Sequence, residues 1–450
     1  MTINVSNLIL KLQQKISGSS DEADLLYYAK AIEQLKTGKI FSIDSVTQLP
    51  SSPQNPGALY YVQRDETVYF SSDFGWVEIY KRPVSAIFSW GDNGSSTAQC
   101  AQLGDGTFTS QCSPVREISS SIDWCEVSAG NFHSAAIKTS GQLWAWGSNS
   151  GGPLGDGTQT IRCSPVRERC SATNWCDVSA GSYQTAAINT SGQLWAWGNN
   201  ACGRLGDGTT INRCSPVREF CSATDWCSVS TGTQHTSAVK TTGQLWVWGN
   251  NAYGRLGDGT TVLKCSAVRE RCSATDWCQV SAGDQHTAAV KTSGQIWAWG
   301  CNDGGQLGDN TSGINRCSPV REISSSTDWC SLSTGTSRTF AIKTSGQLWV
   351  WGSNINGSLG IGTGSGNVLS PVREFYSATD WCGVKGGCSH GIGIKTSGQI
   401  WTWGLNTCGV LGDGTTINRC SPVREISSST NWCQVSAGQR FNTAINVRNL

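Results

Sequence analysis

Four histidines, His133, His235, His286 and His390, are the side chains of this chain best suited to proton transfer or metal ligation. All four stand third after the glycine of a Val-x-Ala-Gly segment or its equivalent, and the other three copies place Gln184, Arg338 and Phe441 there. A metal site needs ligands converging to ~2.0–2.1 Å of one ion. One position repeated in successive units makes a ring of side chains instead, and Arg or Phe in that ring ends a shared ligand role. The position therefore reads as one for blade packing or loop hydrogen bonding.

The other candidates are weaker. The aspartate of Leu-Gly-Asp-Gly-Thr recurs at Asp105, Asp156, Asp207, Asp258, Asp309 and Asp413, with Ile361 in the remaining copy. It lacks the alternating acids of a calcium loop and reads as a turn residue. Arg-Glu pairs such as Arg116 and Glu117 follow Pro-Val or Ala-Val in every copy, and are expected to be solvated on an outer loop. No copy breaks the repeat to create a special Ser or Cys, and no phosphate loop appears. No catalytic residue, metal or cofactor is expected, and the chain is not read as an enzyme.

These residues belong to a repeat. Trp-Cys occurs at Trp124, Trp175, Trp226, Trp277, Trp329, Trp381 and Trp432, and Trp-Gly at Trp90, Trp146, Trp197, Trp248, Trp299, Trp351 and Trp403. With the first Trp of each Trp-x-Trp-Gly, these hold 20 of the 21 tryptophans, Trp76 being the exception. A Trp in every unit at a fixed strand position favours core packing over a stacking platform for sugars or bases. Segments such as Lys138 to Gln142 are turns between two alternating runs, so each unit contains a hairpin. Short strands, regular turns and a period near 51 residues predict a radial β array whose units form a core by stacking on one another.

Val280 to Gly283, His286 with Thr287, Gly294 to Gly300, and Leu307 with Gly308 together resemble the regulator-of-chromosome-condensation repeat family. The resemblance covers about residues 84–450 in seven copies. It implies an all-β fold, a seven-bladed propeller of four-stranded blades. The chain ends at Thr443 to Asn446 plus a few residues, where another Trp-Gly strand should follow, and an unpartnered copy of that strand stands at Ala86 to Gly91. N- and C-terminal strands are therefore expected to complete one blade and remove the exposed edges.

Composition narrows the function. Lys and Arg number 33 against 32 Asp and Glu, so no basic surface for nucleic acid is expected. No apolar run is long enough to insert in a membrane, and Met1 to Gln14 lacks the basic and apolar regions of a secretory signal. The cysteines number 21, and the Cys before Ser-Pro-Val is missing from one copy. Most are expected to be reduced, acting as small buried apolar groups.

The first 83 residues carry no cysteine and no repeat marker. Val5, Ile9, Leu12 and Ile16 form a short heptad seam, which makes residues 1–40 a candidate helical segment for anchoring or oligomerisation. Residues 41–83 are expected to form a small β-meander with strands near 57–62, 67–71 and 76–80. Gly57 to Val62, Tyr69-Phe70 and Gly75 to Val77 are similar to a module of tailed-phage virion proteins, and Ser17 to Glu33 to the N-termini of marine cyanophage structural proteins. Residues 84–450 form the propeller.

The favoured expectation is a non-enzymatic phage virion appendage, a fibre, decoration or adhesion protein made in the host cytoplasm. It would contact capsid, neck or tail proteins through its N-terminus, as a homo-oligomer, and show its propeller to a host receptor or glycan. Asn131, Phe132, His133, Ser182, Tyr183, Gln184, Gln234 and His235 are the candidate surface-binding loops. The alternative is an intracellular interaction scaffold or guanine-nucleotide exchange factor, as the family resemblance implies. A lectin-like surface protein is a third possibility.

Overall fold

A computed structural model describes residues 40–43, 59–62, 67–72, 75–81, 84–95 and 98–448. The candidate seam at Val5, Ile9, Leu12 and Ile16 lies outside the described residues. The chain divides into two units, Ser85–Val447 and the remainder.

The larger unit is a seven-bladed propeller, each blade a four-stranded antiparallel sheet. In the blade of strands Trp175–Ala180, Gln184–Asn189, Leu194–Gly198 and Arg213–Arg218, neighbours in sequence are neighbours in space. Alternation explains how the blades stack. Leu194, Ala196 and Ile188 of this blade form one core with Trp226, Val229 and Trp248 of the next. The Trp-Gly tryptophans, Trp90 included, are completely buried. Trp197 Nε1 reaches back to the preceding blade and donates to Pro153 O at 2.8 Å. Five other blades repeat that bond, so six of the seven both fill a joint and hydrogen-bond across it, while Trp90 fills its joint with Nε1 unpartnered.

The ring closes as the strand arithmetic requires. One blade is ordered Trp432–Ala437, Phe441–Arg448, Val84–Gly91, Gln111–Arg116, and so takes two strands from each end of the propeller sequence. Asp92 N donates to Arg440 O at 2.8 Å, the same bond that Asn199 N makes to Tyr183 O in an uninterrupted blade. Gly91 has φ +105°, and a Cβ there would lie 2.5 Å from Arg440 O. That is the geometry of Gly198 against Tyr183 O, so only glycine serves at the end of this strand, whichever end of the chain supplies it.

The turn reading of Leu-Gly-Asp-Gly-Thr holds. Asp156 Oδ1 accepts from Thr158 N at 2.9 Å and Asn149 Nδ2 at 3.1 Å, while Arg162 pairs with Oδ2 at 2.7 Å. Burial pushes the Asp156 carboxyl up, but the Thr158 hydroxyl and the Arg162 guanidinium more than reverse this and hold it low.

Two expectations about side chains need correction. The glutamates of the Arg-Glu pairs are not solvated: Glu168 is 1% exposed. Its Oε1 accepts from Trp175 Nε1 at 3.3 Å and Ala172 N at 2.7 Å, so the carboxylate caps the turn between blades and satisfies a buried indole. All seven blades repeat the Glu–Trp bond. The cysteines are not generally buried either. Every Trp-Cys thiol is on an exposed residue, and Cys301 alone is buried. Cys on strand Trp-Cys-x-Val points away from the joint that its Trp neighbour fills, because alternate residues face opposite sides. No disulfide joins the cysteines.

The smaller unit contains a four-stranded sheet, Ile40–Ile43, Leu59–Val62, Thr67–Ser72 and Gly75–Lys81. The last three are the expected meander. The first pairs parallel to Leu59–Val62, and Ile40-Phe41-Ser42-Ile43 is too short to display a period in sequence.

Candidate functional site

Each blade's innermost strand runs along a central channel, and the loops that leave these strands share one face with the Leu-Gly-Asp-Gly turns. The channel mouth on that face holds a cavity of about 140 Å³ lined by Ser, Thr and Gly of all seven blades, with Lys385 among them.

The candidate loop residues separate by burial. His133, Ser182, Gln184 and His235 are at most 2% exposed, so they are not surface contacts. Each of these histidines bridges two blades: His133 Nε2 lies 2.8 Å from Thr185 Oγ1, and His235 Nε2 lies 2.8 Å from Thr287 Oγ1. Gln184 takes the same place with Nε2 donating to Gly232 O at 2.7 Å. The glycine three residues before explains why the position accepts these groups. A Cβ on Gly130 would lie 2.8 Å from His133 Cε1 and 2.2 Å from Gly181 O. Burial pushes His133 and His286 down to about 3 and His390 to about 4, so these rings are neutral.

Asn131, Phe132, Tyr183 and Gln234 remain accessible on the face. Phe132 and Tyr183, from adjacent blades, have ring centroids 5.4 Å apart, and Tyr183 is 38% exposed. The corresponding position in the other blades is Gln234, Gln285, Ser337, Ser389 and Arg440, so the aromatic pair marks one sector.

Beside that sector the repeat departs from its pattern. Arg204 and Arg255 occupy a position held elsewhere by Gln102, Pro153, Gln306, Ser358 and Val410. Both are at most 5% exposed, and their Nη1 atoms donate to Thr233 O and Asp284 O, each at 2.8 Å. Arg338 replaces histidine in its blade and is pushed down to about 10 by burial. In the sequence Arg338 stands out only as a break in the histidine series. Arg204 and Arg255 were missed because they lie at a loop position whose residue type varies among the other copies.

A second ring lies inside the channel. Ser128 Oγ accepts from Ala180 N of the next blade at 2.9 Å, and Ser179, Ser230, Ser281, Ser333 and Ser436 repeat the link at 2.9–3.1 Å. Lys385 takes the seventh position. One turn of strand deeper, Glu126 and Asp177 accept from Val178 N at 3.3 Å and Val229 N at 3.0 Å. Burial, and then the Asp177 charge, push Glu126 up to about 8, and burial raises Asp177 as well.

This arrangement defines a closed propeller with a loop-bearing face and no constellation of nucleophile and base among the described residues. The chain belongs to the RCC1-like family: residues 84–321 match the RCC1-like domain and residues 397–445 the regulator of chromosome condensation (RCC1) repeat. It is 30% identical over 333 residues to the ultraviolet-B receptor UVR8 of Arabidopsis thaliana, covering 72% of this chain and 74% of the relative. It is 28% identical over 339 residues to the human E3 ubiquitin-protein ligase HERC2, of which it spans 7%. In structure it is similar to Prp20p of Saccharomyces cerevisiae, with TM-score 0.72 and 18% identity over 82% of this chain and 92% of that one. Human WBSCR16 gives TM-score 0.69 and 19% identity, over 80% and 98% of the two chains. At these identities the likeness of structure speaks for the fold.

Proposed function

We propose that the propeller is a protein-interaction module that engages its partner with the face carrying Phe132 and Tyr183. The observation that carries this is the accessible aromatic pair, from adjacent blades, on the face that carries the variable loops after each Val-x-Ala-Gly segment. Aromatic anchors on a preformed surface are the usual centre of a protein interface. The RCC1-like relatives support an interaction or exchange-factor role over a virion role. The yeast Prp20p structure is described with binding to Gsp1p and histones. Those two are the first partners to try, and Phe132→Ala with Tyr183→Ala should weaken whichever binds.

A second reading keeps the virion appendage, because a separate unit of meander strands precedes the propeller and its sequence is similar to phage modules. On that reading residues 1–83 dock the chain to a particle and the propeller face meets a host surface. The two readings part in one experiment. An interaction or exchange factor predicts that residues 84–450 bind Gsp1p or histones, or speed nucleotide release. An appendage predicts that only the intact chain assembles onto purified particles, with neither form acting on the GTPase.

A further inference from the structure

The channel ring has one broken link. Six serines accept the backbone N–H of the following blade, and the seventh position is Lys385, whose ammonium only donates. The N–H that would complete the ring is Ala437 N, which makes no hydrogen bond among the described residues. Lys385 and Ala437 stand on the innermost strands of adjacent blades, and both line the cavity wall. Among the described residues, no carboxylate lies within 4.0 Å of Lys385 Nζ.

We infer that this joint is an oxyanion site, where a small phosphate or carboxylate group is held by the Lys385 ammonium and the Ala437 N–H. A charged donor beside a fixed backbone donor is the ordinary chemistry of anion capture. The cavity of about 140 Å³ suits a group of a few heavy atoms. Serine and threonine hydroxyls around the wall supply further donors.

The charges that face Lys385 are carboxylates. Glu126 and Asp177 lie deeper in the channel, and Asp284 is on the rim. Glu126, raised to about 8, is mostly uncharged at neutral pH. Asp284 is engaged by the Thr233 hydroxyl. Lys385 is open to channel water, yet crowded by the blades, and burial lowers its affinity for a proton while Asp177 and Glu126 partly restore it.

The test is thermal denaturation of the full chain in sodium phosphate, sodium acetate and sodium chloride at equal ionic strength and pH 7.0. Wild type should melt higher in phosphate or acetate than in chloride, and the stronger arm names the group held. Lys385→Ser restores the repeat residue, so it should complete the ring, raise the melting temperature in chloride by about 2 °C, and abolish the anion-dependent rise. Lys385→Met, which keeps the stem and removes the charge, should also abolish the rise if the serine variant folds poorly. Equal melting of wild type in all three salts, or a rise that persists in either variant, would overturn the assignment.

Discussion

His235 Nε2 meets Thr287 Oγ1 across a blade joint, and the Thr287 hydroxyl itself donates to Arg255 O at 2.8 Å. The hydroxyl proton is thus committed, and the imidazole must donate from Nε2. Its Nδ1 is left buried without a partner. Trp299 Nε1 donates to the same Arg255 O at 2.9 Å, so histidine, threonine and tryptophan converge on one loop carbonyl. His133 and His286 repeat the arrangement with Thr185 and Thr339.

This network makes the propeller acid-sensitive. The folded histidines hold their protons far less tightly than free imidazole, because burial disfavours the charge. The unfolded chain therefore binds the extra protons. Stability is complete above pH ~6.5 and falls below it, by about 1.4 kcal/mol per pH unit for each histidine. Urea midpoints measured from pH 7.5 to 5 should fall steeply. His235→Gln introduces the residue that another blade already carries at Gln184, so it should fold and show a shallower slope.

The buried glutamates should matter more than surface acids. Glu219 is 2% exposed and accepts from Trp226 Nε1 at 3.4 Å and Ala223 N at 2.6 Å. Glu219→Ala should cost about 3 kcal/mol in chemical denaturation, since it strands several buried donors at once. Asp303→Ala, on the loop face, should cost under about 0.5 kcal/mol.

Ring closure should be indispensable. Deleting residues 84–92 removes Trp90, which is fully buried, and exposes Phe441–Arg448 as an edge. The melt should lose most of its cooperativity, and aggregation should rise. An unchanged melting curve would contradict the shared blade.

Thiol accessibility should follow the alternation of the strands. Cys278 and Cys330 are exposed, and burial of their sulfur is sufficient to raise both thiols above the ordinary value. Intact-mass measurement after brief N-ethylmaleimide treatment should show modification of these two before Cys301, with the rate climbing from pH 7 to 9.

Much of this fold was legible because it is written seven times. Trp197 could be placed in a joint, and Ala86 to Gly91 beside the C-terminal strand, from spacing alone. The buried role of Glu168 was not legible, since an adjacent Arg-Glu pair looks the same whether it is solvated or caps a turn. His133 and His235 were recognised as blade-joint residues yet also counted among surface loops, and only the geometry of Gly130 and Thr287 separates those roles. Lys385 stands in the sequence as one break in a serine series, and its meaning depends on the link it leaves open at Ala437.

The central claim is that partners meet the face of Phe132 and Tyr183. The most direct measurement places a photo-crosslinking amino acid at Tyr183 in one chain and at Thr242, on the opposite turn, in another, within the cells that make the protein. The account predicts a discrete protein adduct from position 183 that is lost with Phe132→Ala, and none from position 242. Adducts from position 242 alone, or adducts at 183 indifferent to Phe132, would contradict it.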